Sequence, residues 1–208
     1  MHCPLCNSTA AYFKTYDDRL YNRCTSCASV FLDTRDLPFP QKEKQRYDLH
    51  ENTLQNKGYV DFLSPLVQAV IEKENNSKIG LDYGSGPNPV LSKILESRGY
   101  SVFQYDTFYS KEEKNLELEY DFIICCEVIE HFHNPAEEFK RLKSLLKVNG
   151  SIYCKTSLLN ENIDFDNWSY KNDFTHSFFY TQRALGYIKD SLGFTDLIIQ
   201  ENLFILKA

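Results

Sequence analysis

The run Lys78–Asp106, KIGLDYGSGPNPVLSKILESRGYSVFQYD, constrains the fold more than any other part of the chain. It opens with a short apolar stretch, Ile79 to Tyr83, that breaks at Gly84-Ser85-Gly86. Helical spacing follows at Val90, Leu91, Ile94 and Leu95, then a turn at Gly99, then a second strand-like stretch from Ser101 to Tyr105 that ends on Asp106. Strand, glycine turn, helix, strand and acid is the order of a nucleotide-binding βαβ unit. The glycines let backbone approach a ligand closely, and the acid accepts hydrogen bonds from ribose hydroxyls. A glycine turn alone says little; the acid 22 positions after Gly84, closing a second strand, makes the signal specific.

The rest of the chain continues the alternation. Tyr59, Phe62, Leu63, Leu66, Val67, Val70 and Ile71 form one apolar helical face ahead of the first strand, with Pro65 inside its first turns. Leu116 and Leu118 predict a short helix or loop. Tyr120–Cys126 reads as a buried strand, followed by Glu127-Val-Ile-Glu130-His131. Asn134-Pro135 opens a helix with Glu137 and Glu138 in its first turn, and Asn149-Gly150 is expected to stop it. Ser151–Thr156 is a further strand, residues 158–180 are irregular and aromatic, and Thr181–Leu192 is a helix. Phe194–Gln200 and Leu203–Lys207 form two last strands joined at Glu201-Asn202. Such an order predicts an α/β fold with a mostly parallel sheet and one antiparallel strand at or near its edge.

Ahead of this unit stand Cys3-Pro-Leu-Cys6 and Cys24-Thr-Ser-Cys27, with 17 residues between the pairs. Two such turns can surround one tetrahedral zinc, and a module this small draws much of its stability from the metal. The chain thus divides into a four-cysteine zinc ribbon at 1–32, a polar connector and lid at 33–58, and a catalytic domain at 59–208. With all four positions taken by Cys3, Cys6, Cys24 and Cys27, the zinc is expected to be structural. Cys125, Cys126 and Cys154 lie in apolar runs and read as small hydrophobes. No apolar run reaches transmembrane length and residues 1–30 lack a signal-peptide core, so a cytoplasmic protein without membrane contact is expected. The net charge of −6 argues against a nucleic-acid partner.

Together these motifs resemble a class I S-adenosylmethionine-dependent methyltransferase of small bacterial type, similar to the methyltransferase domain 23 group. The resemblance rests on Leu81-Asp-Tyr-Gly-Ser-Gly86, Asp106, Tyr120-Asp-Phe-Ile-Ile, Glu127-Val-Ile-Glu-His131, Leu145-Leu-Lys-Val-Asn-Gly150, Leu192-Gly-Phe194 and the closing hairpin. It implies a Rossmann-like sheet of seven strands with one antiparallel. It also implies S-adenosylmethionine held by Asp82, Tyr83, Gly84, Ser85, Gly86, Asp106, Thr107, Cys126 and Glu127. Two departures stand out: Asn88 replaces the family's third glycine between Pro87 and Pro89, and Lys147-Val148-Asn149-Gly150 lacks the usual Pro-Gly. A dinucleotide dehydrogenase is the competing reading of the βαβ unit.

The acceptor side is read from His50, Glu130, His131 and His176, as candidate catalytic groups. A hydroxyl acceptor needs a proton removed, which a histidine suits. On a helical turn Glu127, Glu130 and His131 would converge, and with His176 they could hold a divalent cation. Small-RNA 2′-O-methyltransferases and some ubiquinone-pathway O-methyltransferases carry a similar Glu-x-x-Glu-His cluster. Three functions follow: methyl transfer to a small-molecule or glycan acceptor, with oxygen favoured; methylation of RNA gripped by the ribbon; or cofactor binding without catalysis. Residues 1–32 hold only Lys14, Arg19 and Arg23 against Asp17 and Asp18, a weak footprint for RNA.

Overall fold

A computed structural model describes residues 1–208. The N-terminal strands β1 (Ala10–Tyr16) and β2 (Arg19–Cys24) form an antiparallel hairpin turned at Asp17-Asp18, both in the left-handed region that such tight turns require. β3 (Val30–Leu32) pairs with β2. Helix α1 (Pro40–Tyr47) starts on a proline, and α2 (Lys57–Lys73) is capped by Asn56, whose side chain accepts from the Tyr59 N–H. Then come β4 (Ile79–Tyr83), α3 (Val90–Glu96), β5 (Ser101–Tyr105), β6 (Tyr120–Cys126), α4 (Pro135–Ser144) and β7 (Leu146–Lys155). The two-residue β8 (Phe178–Phe179), α5 (Gln182–Ser191), β9 (Asp196–Gln200) and β10 (Leu203–Lys207) complete the chain.

The main sheet runs β5-β4-β6-β7-β10-β9, with β10 antiparallel to both its neighbours and the others parallel. The α/β order and the antiparallel strand agree with the sequence. The strand count does not: there are six strands, not seven. Residues 107–119 supply no strand because Lys111, Glu112, Glu113, Lys114, Glu117 and Glu119 leave them no apolar face. They fold instead as a turn closed by the Asp106–Ser110 bridge and a 3-10 turn over Glu113–Leu116. Asn115 ties that turn back to the Gln104 carbonyl at 2.9 Å, which leaves β5 at the sheet edge. A second difference concerns Asn149-Gly150. The helix ends earlier, at Ser144, and Asn149 (φ 63°) lies in an irregularity of β7, where the register against β6 shifts between Tyr120 and Phe122.

Helices α2 and α3 cover one face of the sheet through Leu63, Leu66, Val70, Leu91 and Leu95 against Phe122, Ile124 and Tyr153. The opposite face carries α4 and α5, and the cysteine module packs there too. Cys3, Leu5, Cys24, Cys27 and Phe31 share one core with Leu81, Ile123, Phe139, Leu185 and Phe204. The N-terminal sheet is also closed by the body of the chain, since β8 adds to β3 as a fourth strand. No helix is long and apolar enough to cross a membrane.

Candidate active site

The carboxyl ends of β4, β5 and β6 open into a cavity of about 990 Å³, at the upper end of what a small-ligand site needs. Gly84 (φ 81°) and Gly86 (φ 67°) turn the chain out of β4 in a backbone region that side chains avoid. A Cβ on Gly84 would stand 2.5 and 2.7 Å from the Val128 methyl groups, whereas one on Gly86 would meet nothing within 4 Å. The first glycine therefore serves packing, and the second leaves an open cradle. Asp106 faces that cradle. Its Oδ2 accepts from the Gly86 N–H at 2.9 Å, and its Oδ1 from the Phe108 and Tyr109 N–H groups at 2.8 and 3.1 Å. The hydroxyl of Ser85 is buried with no partner, an orphan pointing to a missing polar ligand. Tyr83, Gly84, Ser85, Gly86, Asp106, Thr107, Cys126 and Glu127 all line the cavity.

Asp82 is placed differently. It is buried behind the turn, where Ser92 Oγ of α3 donates to its Oδ2 at 2.7 Å, and it does not line the cavity. Burial pushes its carboxyl up to about 7. Because that folded value lies above the unfolded ~3.9, the neutral acid's contribution is fully present below pH ~4 and lost as the pH rises through 7. Asp82→Asn keeps a neutral acceptor for Ser92. It should melt above the wild type at pH 8, with a gap that narrows toward pH 5 in paired thermal scans.

The other half of the cavity is built after β6. The expected helical turn from Glu127 is not formed: Glu127 sits at φ 52°, and only Ile129–His131 makes a 3-10 turn. The left-handed step turns Glu127 toward Tyr170, whose hydroxyl lies 3.1 Å from Glu127 Oε2 and donates to Glu130 Oε1 at 2.5 Å. Thr156 Oγ1 donates to Glu130 Oε2 at 3.1 Å and lies 3.0 Å from the same phenol. These four contacts have two hydroxyl hydrogens between them, so a proton on the carboxyl pair completes the network. Burial first, then the facing Glu127 charge, push Glu130 well above the usual range, and burial raises Glu127.

His131 and His176 lie edge to face, with ring centroids 4.9 Å apart. Nδ1 of His131 faces the Thr175 carbonyl at 3.0 Å, and Nδ1 of His176 the Tyr170 carbonyl at 2.7 Å. A carbonyl only accepts, so each ring carries its hydrogen on Nδ1 and keeps Nε2 as a free lone pair. Asp173 fixes the turn before His176, its Oδ1 accepting from the Thr175 hydroxyl at 2.6 Å and the Thr175 N–H at 3.1 Å. Burial, reinforced by His176, lowers His131 to about 3; burial also lowers His176. Ligand atoms of Glu130, His131 and His176 all lie within 4.8 Å of one another, an arrangement able to hold a cation. Glu127 is outside this group, joined to it through Tyr170, because its backbone turns the other way.

A strap formed by α1 and the residues after it spans the cavity mouth. Glu43 pairs with His133 Nε2 at 3.0 Å, Arg46 with Asp173 at 2.8 Å, and the Tyr109 hydroxyl donates to Asp48 at 2.6 Å. Tyr47 meets His131 edge-on at 5.2 Å and His50 at 6.3 Å, so His50 stands at the rim, not among the buried donors. Sequence reasoning missed the partnerships of Glu43, His133 and Tyr109, and the bridging role of Tyr170; nothing in their spacing points to partners so distant.

The four N-terminal thiols converge as the spacing predicts. Cys3 and Cys27 Sγ lie 3.7 Å apart and Cys6 and Cys24 3.4 Å, close to the ~3.8 Å edge of a tetrahedron with ~2.3 Å zinc–sulfur bonds. The residue after each pair, Asn7 and Ala28, takes φ 57° and 60°, which curls the turn around the sulfurs, and the Ser26 and Cys27 N–H groups point at Cys24 Sγ. The donor set fits zinc.

Residues 54–198 match a family described as a methyltransferase domain, well over half of the chain, and the protein belongs to that family. None of the curated proteins compared with it matches. Several solved structures share the fold. An O-methyltransferase family protein of Burkholderia thailandensis aligns with a TM-score of 0.58 at 13% identity, over 83% of this chain and 64% of that one. A 1,6-didemethyltoxoflavin N1-methyltransferase of the same organism, solved with 1,6-didemethyltoxoflavin and S-adenosylhomocysteine, aligns with a TM-score of 0.56 at 13% identity, over 96% and 98%. A mitomycin 7-O-methyltransferase gives 0.53 at 11% identity, over 73% and 54%. The chain thus spans less than two thirds of the first and third, and at these identities the likeness is one of fold.

Proposed function

We propose that the protein is an S-adenosylmethionine-dependent methyltransferase that acts on a hydroxyl of a small-molecule or glycan-type acceptor. The observation that carries this reading is a single cavity with two unlike halves, the glycine turn with Asp106 and the Glu130–His131–His176 cluster. The unpartnered Ser85 hydroxyl and the open space at Gly86 fit the cofactor in the first half. Bound there, S-adenosylmethionine supplies an electrophilic methyl group on a sulfonium. Asp106 would hold the ribose, and the strap with Tyr59 and Phe62 would keep water from the reacting atoms.

The second half faces the acceptor. His131, drawn down to about 3, is too weak a base to take a hydroxyl proton unaided near neutral pH, but a permanently neutral imidazole is a good metal ligand. Glu130, His131 and His176 would hold a divalent cation, which lowers the pKa of a bound hydroxyl. RNA is the weaker reading. On the N-terminal module Lys14 pairs with Asp166, Arg19 lies 3.9 Å from Asp17 and Arg23 stacks on Phe13, which leaves little free positive charge for phosphates.

The test is transfer of labelled methyl from S-adenosylmethionine into cellular fractions. Label in small-molecule or polysaccharide fractions supports the proposal, label confined to RNA supports its rival, and binding without transfer points to a non-catalytic role. In parallel, Asp106→Ala should weaken S-adenosylhomocysteine binding about 10–100-fold by calorimetry, the value of hydrogen bonds to a charged acceptor.

A further inference from the structure

The N-terminal cysteine module is tied to one half of the cavity only. β3 pairs with β8 through Val30–Phe179 and Phe31–Phe178. At the next position the Leu32 N–H donates to the Ser177 carbonyl, while the Ser177 N–H donates to the Glu130 carbonyl, both at 2.9 Å. A single residue, Ser177, thus connects the ribbon sheet to the turn that carries Glu130 and His131. On the far side of β8 the Thr181 hydroxyl, which caps α5, donates to the carbonyl of Cys27, one of the four thiol residues, at 2.6 Å. The segment before β8 is held as well. Lys171 is 2% exposed, and its ammonium lies 3.8 Å from the centre of the Tyr16 ring. The Tyr16 hydroxyl donates to Asn172 at 2.8 Å, and Trp168 and Tyr170 pack with Tyr21, Val30 and Leu32. By contrast Gly84, Ser85, Gly86 and Asp106 are positioned by β4, β5 and Val128, with no bond to residues 1–32.

We infer that the four-cysteine module is a positioning element for the acceptor half of the cavity. Its metal-loaded form fixes segment 168–181, and with it Tyr170 and His176, while the cofactor half stands independently. The inference rests on the two-half reading of the site and gives the ribbon a role in the reaction other than gripping nucleic acid.

Hydrogen exchange on the full zinc-loaded chain, with and without a chelator, tests it together with the emission of Trp168, the protein's single tryptophan. Chelation should speed exchange in 158–181 by about tenfold or more and shift Trp168 emission, with exchange in 79–110 unchanged and S-adenosylhomocysteine binding within roughly threefold. Tyr16→Leu, which keeps the apolar contact but removes the ring over Lys171 and the bond to Asn172, should loosen 168–176 in the same way while the metal stays bound. Faster exchange confined to residues 1–32 would overturn the inference, as would simultaneous loosening of the whole chain or purified protein without zinc. Failure of the zinc-loaded protein to bind S-adenosylhomocysteine would instead strike the proposed function and leave this coupling to stand or fall on exchange alone.

Discussion

Replacing His176 with alanine is expected to reduce methyl transfer about 10²–10⁴-fold, with S-adenosylhomocysteine affinity held within roughly threefold. The effect should be large because His176 is not an isolated side chain. Its Nδ1 is committed to the Tyr170 carbonyl, its ring packs on Tyr170 at 4.2 Å, and its Nε2 is one of three donors within 4.8 Å. Removing it takes away a ligand and opens a gap beside the carboxyl pair. Cofactor affinity should survive, since the glycine turn and Asp106 make no contact with it. A comparable drop for Glu130→Gln, with divalent-cation binding lost in both variants, would assign the cluster to a metal. Activity retained in His176→Ala would remove this cluster from the reaction.

The second large effect is expected at the glycine turn, where two neighbouring substitutions should fail for different reasons. Gly84→Ala forces a side chain into φ 81° and into the Val128 methyls. The left-handed backbone costs about 1–2 kcal/mol and overpacking about 1–3 kcal/mol more. At about 2–4 °C per kcal/mol for a chain of this size, the melting temperature should fall by roughly 4–20 °C, and cofactor binding should be lost with it. Gly86→Ala bears the backbone cost alone, because its Cβ meets nothing. It should melt only a few degrees low, yet bind S-adenosylhomocysteine far more weakly, because the added methyl stands in the cradle. Thermal scans read beside calorimetry separate the two; equal melting temperatures would refute the packing role of Gly84.

Much of this was legible in the sequence because the information is local. The βαβ unit, the two cysteine turns and the closing hairpin are each declared by residues a few positions apart, where period and turn chemistry decide conformation. What escaped depends on distant partners. Phe178-Phe179 is too short to announce a strand and becomes one because β3 lies beside it. Glu127 looks helical beside Glu130 and His131 but turns left-handed, as its N–H donates to the Lys155 carbonyl and its carboxylate meets Tyr170, 43 positions on. The absent seventh strand is a milder case: the charge of 107–119 is in plain view, but the family resemblance outweighs it. For the site, residue types were readable and roles were not. Tyr170 reads as one more aromatic of a loop until its hydroxyl is seen between two buried acids.

The β3–β8 pairing also bears on how the chain reaches its native state. Val30 must find Phe179, 149 positions further on, so the sheet begun at the N-terminus stays unfinished until most of the protein has been made. Contacts this far apart are slow to form, since the entropy of closing so long a loop is lost before any bond rewards it. During synthesis Val30, Phe31 and Leu32 emerge early as an unpaired apolar edge, the kind of surface through which nascent chains aggregate. Metal capture by the two cysteine turns needs only residues 3–27 and can come first. It would hold that edge in a compact hairpin while the chain waits for its last partner strand.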